Sequence, residues 1–209
     1  MTLDKDKPTK VTARRKRIYA WSAAAFRWVH VYVSMLSFSA LMFFAWTGIT
    51  LNHPTWFGAS TPMLRDQSGE LDRALLSEPL DKLALAEELR DRHRLRGKVA
   101  RFEASELDIM IVFKGPGYAA DVFIDRDSGA YTVSETVHGV ASIMNDLHKG
   151  RDSGGAWAWF IDVSAVIMMI MSLSGFGLLL YLKKRRAPGL LAAVVGTIAM
   201  FLVWALGVP

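Results

Sequence analysis

From Trp28 to Leu51 the chain runs through 24 residues without a charged side chain. At about 1.5 Å of rise per residue, that is enough helix to cross a hydrocarbon core of about 30 Å. The rival reading is a cleaved signal peptide, because basic residues precede the run. The apolar part of such a leader is only about 7–15 residues long and ends in small residues. Here the run is longer, and His53-Pro54-Thr55-Trp56-Phe57 follows it. The segment therefore reads as an uncleaved spanning helix.

Two more apolar runs follow a polar middle. Ala156–Leu182 carries one charge, Asp162, near its start, and Leu190–Val208 carries none. Pro188-Gly189 is expected to break the chain between them. Basic residues gather beside these runs. Lys5, Lys7, Lys10, Arg14, Arg15, Lys16, Arg17 and Arg27 precede the first, and Lys183 to Arg186 separate the second from the third. A nucleic-acid-binding protein carries its basic excess on a folded face, so this placement argues for membrane topology and against a nucleic-acid partner. The positive-inside rule puts the N-terminus and the 183–186 turn in the cytoplasm of a bacterial inner-membrane protein, with the middle domain and C-terminus outside. Trp21 and Trp28 then mark the inner interface and Trp56, Trp157 and Trp159 the outer one. The expected architecture is an α-helical membrane protein with three spans and a small α+β extracytoplasmic domain between the first and second. Its parts are a basic arm (1–26), first span (27–53), outer domain with a returning helix (54–155), second span (156–182), cytoplasmic turn (183–188) and third span (189–208).

Within the outer domain, Ser77-Glu78-Pro79 is expected to start a helix whose apolar side is Leu80, Leu83, Ala84, Ala86 and Leu89. Strand patterns follow at Val99–Ala104, Leu107–Phe113, Ala120–Ile124 and Ala130–Val133, with turns at Gly115-Pro116-Gly117 and Asp125–Gly129. Glu135–Lys149 reads as a helix returning to the membrane.

The chain has no cysteine, which excludes disulfides, thiolate metal sites, iron–sulfur clusters and thiol nucleophiles. It also lacks a phosphate-cradling loop, a serine nucleophile elbow and an HExxH motif. Asp125 and Asp127 fit a tight turn more simply than a calcium site. Met168, Met169 and Met171 fit packing within a span more simply than a copper site. Five histidines remain. His30 and His53 are 23 residues apart, so a straight helix separates them by about 34 Å and they serve two sites or none. His148 precedes the second span on the outer side, His138 lies on the expected returning helix, and His93 sits among charges and is expected to be solvated. A porphyrin needs an apolar slot and one or two neutral imidazoles, which facing helices supply. If the first two spans pack together, His53 and His148 face each other across one haem, with Gly48, Gly175 and Gly177 allowing a flat ring or a neighbouring helix to come close. Spacing alone leaves the second reading open, that of helix-end histidines at a wet interface. His138 is a further candidate cofactor ligand, for which a structural role is the simpler reading.

Several segments carry a resemblance. Asp121-Val122-Phe123-Ile124-Asp125-Arg126-Asp127-Ser128-Gly129-Ala130-Tyr131 resembles the final hairpin of a PepSY domain. Arg27-Trp28-x-His30, Thr47-Gly48-Ile49-x-Leu51-Asn52-His53, Asn145-Asp146-Leu147-His148-Lys149-Gly150-Arg151 and Ser174-Gly175 are similar to the spans of PepSY-associated transmembrane proteins. The resemblance covers about Arg27 to Arg186. It implies a redox role. Larger relatives are haem-containing inner-membrane reductases of ferric siderophores, and shorter ones relay electrons to extracytoplasmic flavin-bearing or iron-handling partners. Carried over, it implies one or two b-type haems, the outer one held by His53 and His148 and the inner one by His30 with its mate in a homodimer. Trp46, Trp56 and Trp157 would line the outer site. The chain departs from the larger reductases in having one span fewer and no NAD- or flavin-binding domain, so quinol or another membrane protein would be the donor. PepSY domains also resemble peptidase propeptide inhibitors, which implies the competing reading of a membrane-anchored, non-redox binding module or an accessory subunit of a metal-uptake system.

Overall fold

The computed structural model describes residues 10–58 and 61–209. Lys5 and Lys7 of the basic arm lie outside the described residues. The chain order is α1 (Lys10–Asn52), β1 (Met63–Glu70), α2 (Lys82–His93), β2 (Lys98–Ala104), β3 (Asp108–Gly115), β4 (Tyr118–Asp125), β5 (Ala130–Val137), α3 (Val140–Lys149), α4 (Gly155–Tyr181) and α5 (Arg186–Gly207). Three helices, α1, α4 and α5, are long and apolar enough to cross a membrane. The sheet domain lies between the first and second of them in the chain.

Two helix boundaries differ from expectation for clear reasons. α1 begins at Lys10, so the described part of the basic arm is its first turns. That stretch is rich in Ala, Arg and Lys and free of Gly and Pro, so nothing stops the helix before the apolar run. Pro188-Gly189 does not break the chain but lies in the first turn of α5. Proline is tolerated there because its missing N–H would have no helical partner anyway. The break between α4 and α5 falls at residues 182–185.

The chain divides into two compact units, residues 42–162 and residues 1–41 with 163–209. The first holds a five-stranded antiparallel sheet of order β1-β5-β4-β3-β2. Side chains alternate between faces along each strand, and one face packs on α2. There Leu85, Leu89, Ile109, Ile111, Phe113, Val122, Ile124 and Val133 are each no more than 1% exposed. Asp81 caps α2, accepting the N–H groups of Leu83 and Ala84, so the helix starts later than Ser77-Glu78-Pro79 suggests. β1, the edge strand paired with β5 from Met63↔Val137 to Glu70↔Ala130, was not expected. Its sequence, Met63-Leu64-Arg65-Asp66-Gln67-Ser68-Gly69-Glu70, has no apolar alternation, because as an edge strand it is exposed along nearly its whole length. β5 extends to Val137, so residues 135–137 are strand and the returning helix begins only at Val140.

Truncating Leu89 to alanine empties part of this core. The expected loss is about 2–5 kcal/mol of domain stability, measurable as faster hydrogen exchange of the β3 and β4 amides.

In the second unit, small residues let helices approach. A Cβ on Gly177 would lie 2.4 Å from the Phe26 ring, and one on Gly189 would lie 2.5 Å from Leu179. The Tyr181 hydroxyl donates to Ser22 Oγ at 2.9 Å.

Candidate functional site

In the unit containing the sheet, His148 sits in the last turn of α3. Gly150, in the left-handed conformation at φ 69°, ends that helix and returns its N–H to the carbonyls of Asp146 and Leu147. The Leu147-His148-Lys149-Gly150 segment is thus a helix terminus that delivers an imidazole. Three bonds fix the helix in place. Thr50 donates to Asn145 Oδ1 at 2.6 Å, Gly117 N–H donates to Asp146 Oδ2 at 2.9 Å, and Trp157 Nε1 donates to the Leu147 carbonyl at 2.8 Å. Around the His148 ring, Phe44 packs edge-on with centroids 5.2 Å apart. A Cβ on Gly48 would sit 3.8 Å from its Cε1, in ordinary contact.

The protons on His148 follow from the oxygens. Thr47 Oγ1, on a fully buried residue, lies 2.6 Å from the Phe43 carbonyl and 2.6 Å from His148 Nδ1. Two oxygens that close need a hydrogen between them, and a carbonyl has none to give, so the hydroxyl donates to Phe43. Its lone pair then accepts from His148, which carries its proton on Nδ1. Nε2 is left with its lone pair and no hydrogen-bond partner among the described residues.

His30 repeats the pattern in the other unit. Its Nδ1 is 3.2 Å from the Met171 carbonyl and 3.2 Å from Ser174 Oγ. Ser174 itself donates to the Met171 carbonyl at 2.8 Å, so both groups accept from Nδ1–H. Nε2 is again the nitrogen with no hydrogen-bond partner among the described residues. The ring lies flush on Gly175, where a Cβ would be 2.9 Å from Cε1. The close approach expected at Gly175 and Gly177 is therefore present, to an imidazole and a phenyl ring.

The remaining histidines are placed differently. His53 stacks on Trp56, with centroids 3.9 Å apart and planes within 9°. Its N–H still bonds to Ile49, so it continues the helix, and six residues carry it about 120° around from Thr47. No hydrogen bond or ring stacking joins His53 to His148 among the described residues. His138 is not on a returning helix but in the junction between β5 and α3, because strand pairing continues through Val137. Its N–H bonds to Gly117 and its buried Nδ1 has no partner among the described residues. His93 is not solvated. Half-buried at the end of α2, it has Gln67 Oε1 2.9 Å from Nδ1 and the Tyr131 hydroxyl 2.8 Å from Nε2. The unrecognised β1 carries Gln67, which is why the sequence hid this role. Thr47 and Ser174, which fix the two tautomers, were also missed as site residues. A threonine or serine one helical turn from a candidate ligand's neighbours was the available signal. Trp157 packs on Phe43, whereas Trp46 packs near Phe57.

A family model for PepSY_TM-like proteins matches residues 24–209. The chain belongs to the PepSY_TM-like family. No curated protein and no solved structure matches it. All five histidines of this PepSY_TM-like chain fall within the matched range. No cluster of three or more His, Cys, Asp or Glu side chains able to hold a bare metal ion occurs among the described residues. What the two sites offer instead is a single imidazole each, oriented through Nδ1, which fits the axial-ligand chemistry of haem iron.

Burial pushes the His148 imidazole below its ordinary value of 6.5, and the neighbouring Lys149 ammonium adds to the shift. A depressed folded value means that protonation favours the unfolded state. The stability tied to neutral His148 is fully present above 6.5 and is lost as the pH falls below it through the folded value. Ligation needs the same lone pair. Acidifying the protein across this window is expected to weaken any ligand on Nε2 and to lower the melting temperature, and both are read in one spectroscopic pH titration.

Proposed function

We propose that this protein is a b-type haem-binding electron carrier of the bacterial inner membrane. The observation that carries the reading is the twin imidazole geometry, in which His30 and His148 each give Nδ1–H to a backbone carbonyl or hydroxyl and keep Nε2 free. Hydrogen-bonded partners of this kind set the tautomer of an iron-ligating histidine and raise its basicity. Haem bound there supplies one-electron ferric–ferrous chemistry. The chain's own residues orient the ligands, and Phe44, Phe43 and Trp157 help keep water from the outer one. The basic residues flanking the spans support a cytoplasmic N-terminus and an extracytoplasmic, PepSY-like sheet domain. His148 then belongs to an outer site, with His53 as candidate second ligand. His30 belongs to an inner site that a second copy's His30 completes in a homodimer. Quinol or another membrane protein donates the electron, and an extracytoplasmic flavoprotein or ferric siderophore accepts it.

The deciding experiment is a dithionite-reduced minus oxidised spectrum of protein purified from haem-replete cells, with pyridine haemochrome quantitation. One haem per chain is expected from the outer site alone, or three per homodimer where the shared inner site also fills, with a b-type α band. A flat spectrum sinks the electron-carrier reading and favours the non-redox binding module.

Replacing Thr47 by valine tests the Nδ1 bond at nearly constant shape. The buried N–H loses its acceptor, and His148 becomes the poorer electron donor. The outer-haem affinity is expected to fall by about 10–100-fold, with the midpoint potential rising, while Thr47→Ser restores both.

A further inference from the structure

The sheet has a second face, opposite α2, that no helix covers among the described residues. Along the strands its charges change from basic to acidic, with Arg101, Asp121 and Asp66 in a row between the two ends. At the end where the chain arrives from α1 and leaves for α3, Lys98 pairs with Lys114. At the other end lie Glu70, Glu103, Asp108 and Asp125. Between them stands Phe123, 51% exposed, paired across strands with Met110 and Thr132. Hollows of about 700 Å³ and 270 Å³ flank Phe123 and share it and Asp108 as walls. The larger is floored in part by Leu107, itself 68% exposed, and neither hollow has a basic residue in its lining. Some of the carboxylates have local partners. Glu103 pairs with Arg101, Asp125 accepts from Ser128, and Asp108 accepts from Ser105, whereas the Glu70 carboxylate has no partner among the described residues.

An exposed aromatic between two hollows with a charged rim has the anatomy of a protein-binding hot spot. We infer that this end of the sheet docks a soluble protein that presents lysine or arginine side chains around an apolar slot for Phe123. A second copy of this chain is the wrong occupant. Two copies in one membrane are related by an axis along the membrane normal, which sets the same row of one sheet against the same row of the other. Carboxylates would meet carboxylates, and like charges across an interface are repulsive.

The probe is a lysine-rich soluble cytochrome c, titrated against the full chain in nanodiscs of uncharged lipid. Saturable binding that weakens steeply with salt is expected. Glu70→Gln/Glu103→Gln/Asp108→Asn is expected to weaken it at least tenfold, and Phe123→Ser by a similar factor. Lys98→Gln/Lys114→Gln leaves it unchanged. Phe123 is half in solvent, so its replacement spares the fold if Asp108→Asn does not. Absence of binding, or equal binding by the rim and Phe123 variants, overturns the inference. So does self-association that Phe123→Ser abolishes, because it assigns the face to a second copy. The readout is binding, so haem-free protein serves as well as loaded protein, and failure of the electron-carrier reading leaves the result interpretable.

Discussion

The His148→Ala variant is expected to lose the outer haem entirely while keeping the inner one, cutting the pyridine haemochrome yield to about a third if both sites fill, because one inner haem is shared by two chains. The substitution removes Nε2 and little else. Thr47 keeps its own bond to the Phe43 carbonyl, because that bond does not pass through the imidazole. α3 keeps its three other ties, to Thr50, Gly117 and Trp157. The residual spectrum therefore reports ligand loss and not collapse of the helix. His30→Ala is the reciprocal variant, and the double variant is expected to be colourless. His53→Ala is expected to cost less haem than His148→Ala, because its ring is stacked on Trp56 about 120° around the helix from Thr47. His93→Ala leaves the spectrum intact but takes a partner from both Gln67 and Tyr131, at about 1 kcal/mol of domain stability for each hydrogen bond. A haem yield unchanged in His148→Ala would remove that histidine from the site.

The membrane helices and most strands were legible because their signals are local. An uncharged run of 24 residues or an alternating strand needs no knowledge of its neighbours. β1 was not legible, since an edge strand exposed on both faces has no pattern to show. The end of β5 was misread as helix for a related reason. Residues 135–137 pair with β1 and β4 only once those strands are in place, and tertiary pairing overrides local propensity. The same gap misplaced His138 and left His93 reading as solvated. At the candidate sites the sequence pointed to His30 and His148, but their proton-fixing partners lie 144 and 101 residues away in the chain. Helix-to-helix register decides those partners, and composition carries no trace of it.

Gly175 is where that register bears directly on His30. A side chain there is expected to abolish the inner haem and leave the outer one. A Cβ would lie 2.9 Å from His30 Cε1 and 3.2 Å from Nδ1. The approach cannot be relieved by a swinging side chain, because the imidazole is held on α4 by Met171 and Ser174. Gly175→Val must therefore push the ring off the Met171 carbonyl or push the helices apart. Either outcome costs the Nδ1–H bond that sets the tautomer and so the orientation of Nε2. Gly48 is the internal control. A Cβ there would meet His148 at 3.8 Å, which is ordinary van der Waals contact, so Gly48→Ala is expected to keep both haems. Ser174→Ala separates tautomer from space, since it removes one acceptor of Nδ1–H and leaves the carbonyl. It is expected to retain inner haem at weakened affinity, with a shifted midpoint potential, where Gly175→Val retains none. If Gly175→Val instead keeps its full haem content, His30 does not hold the inner group through the geometry on α4, and the inner site must be sought on another face of α1.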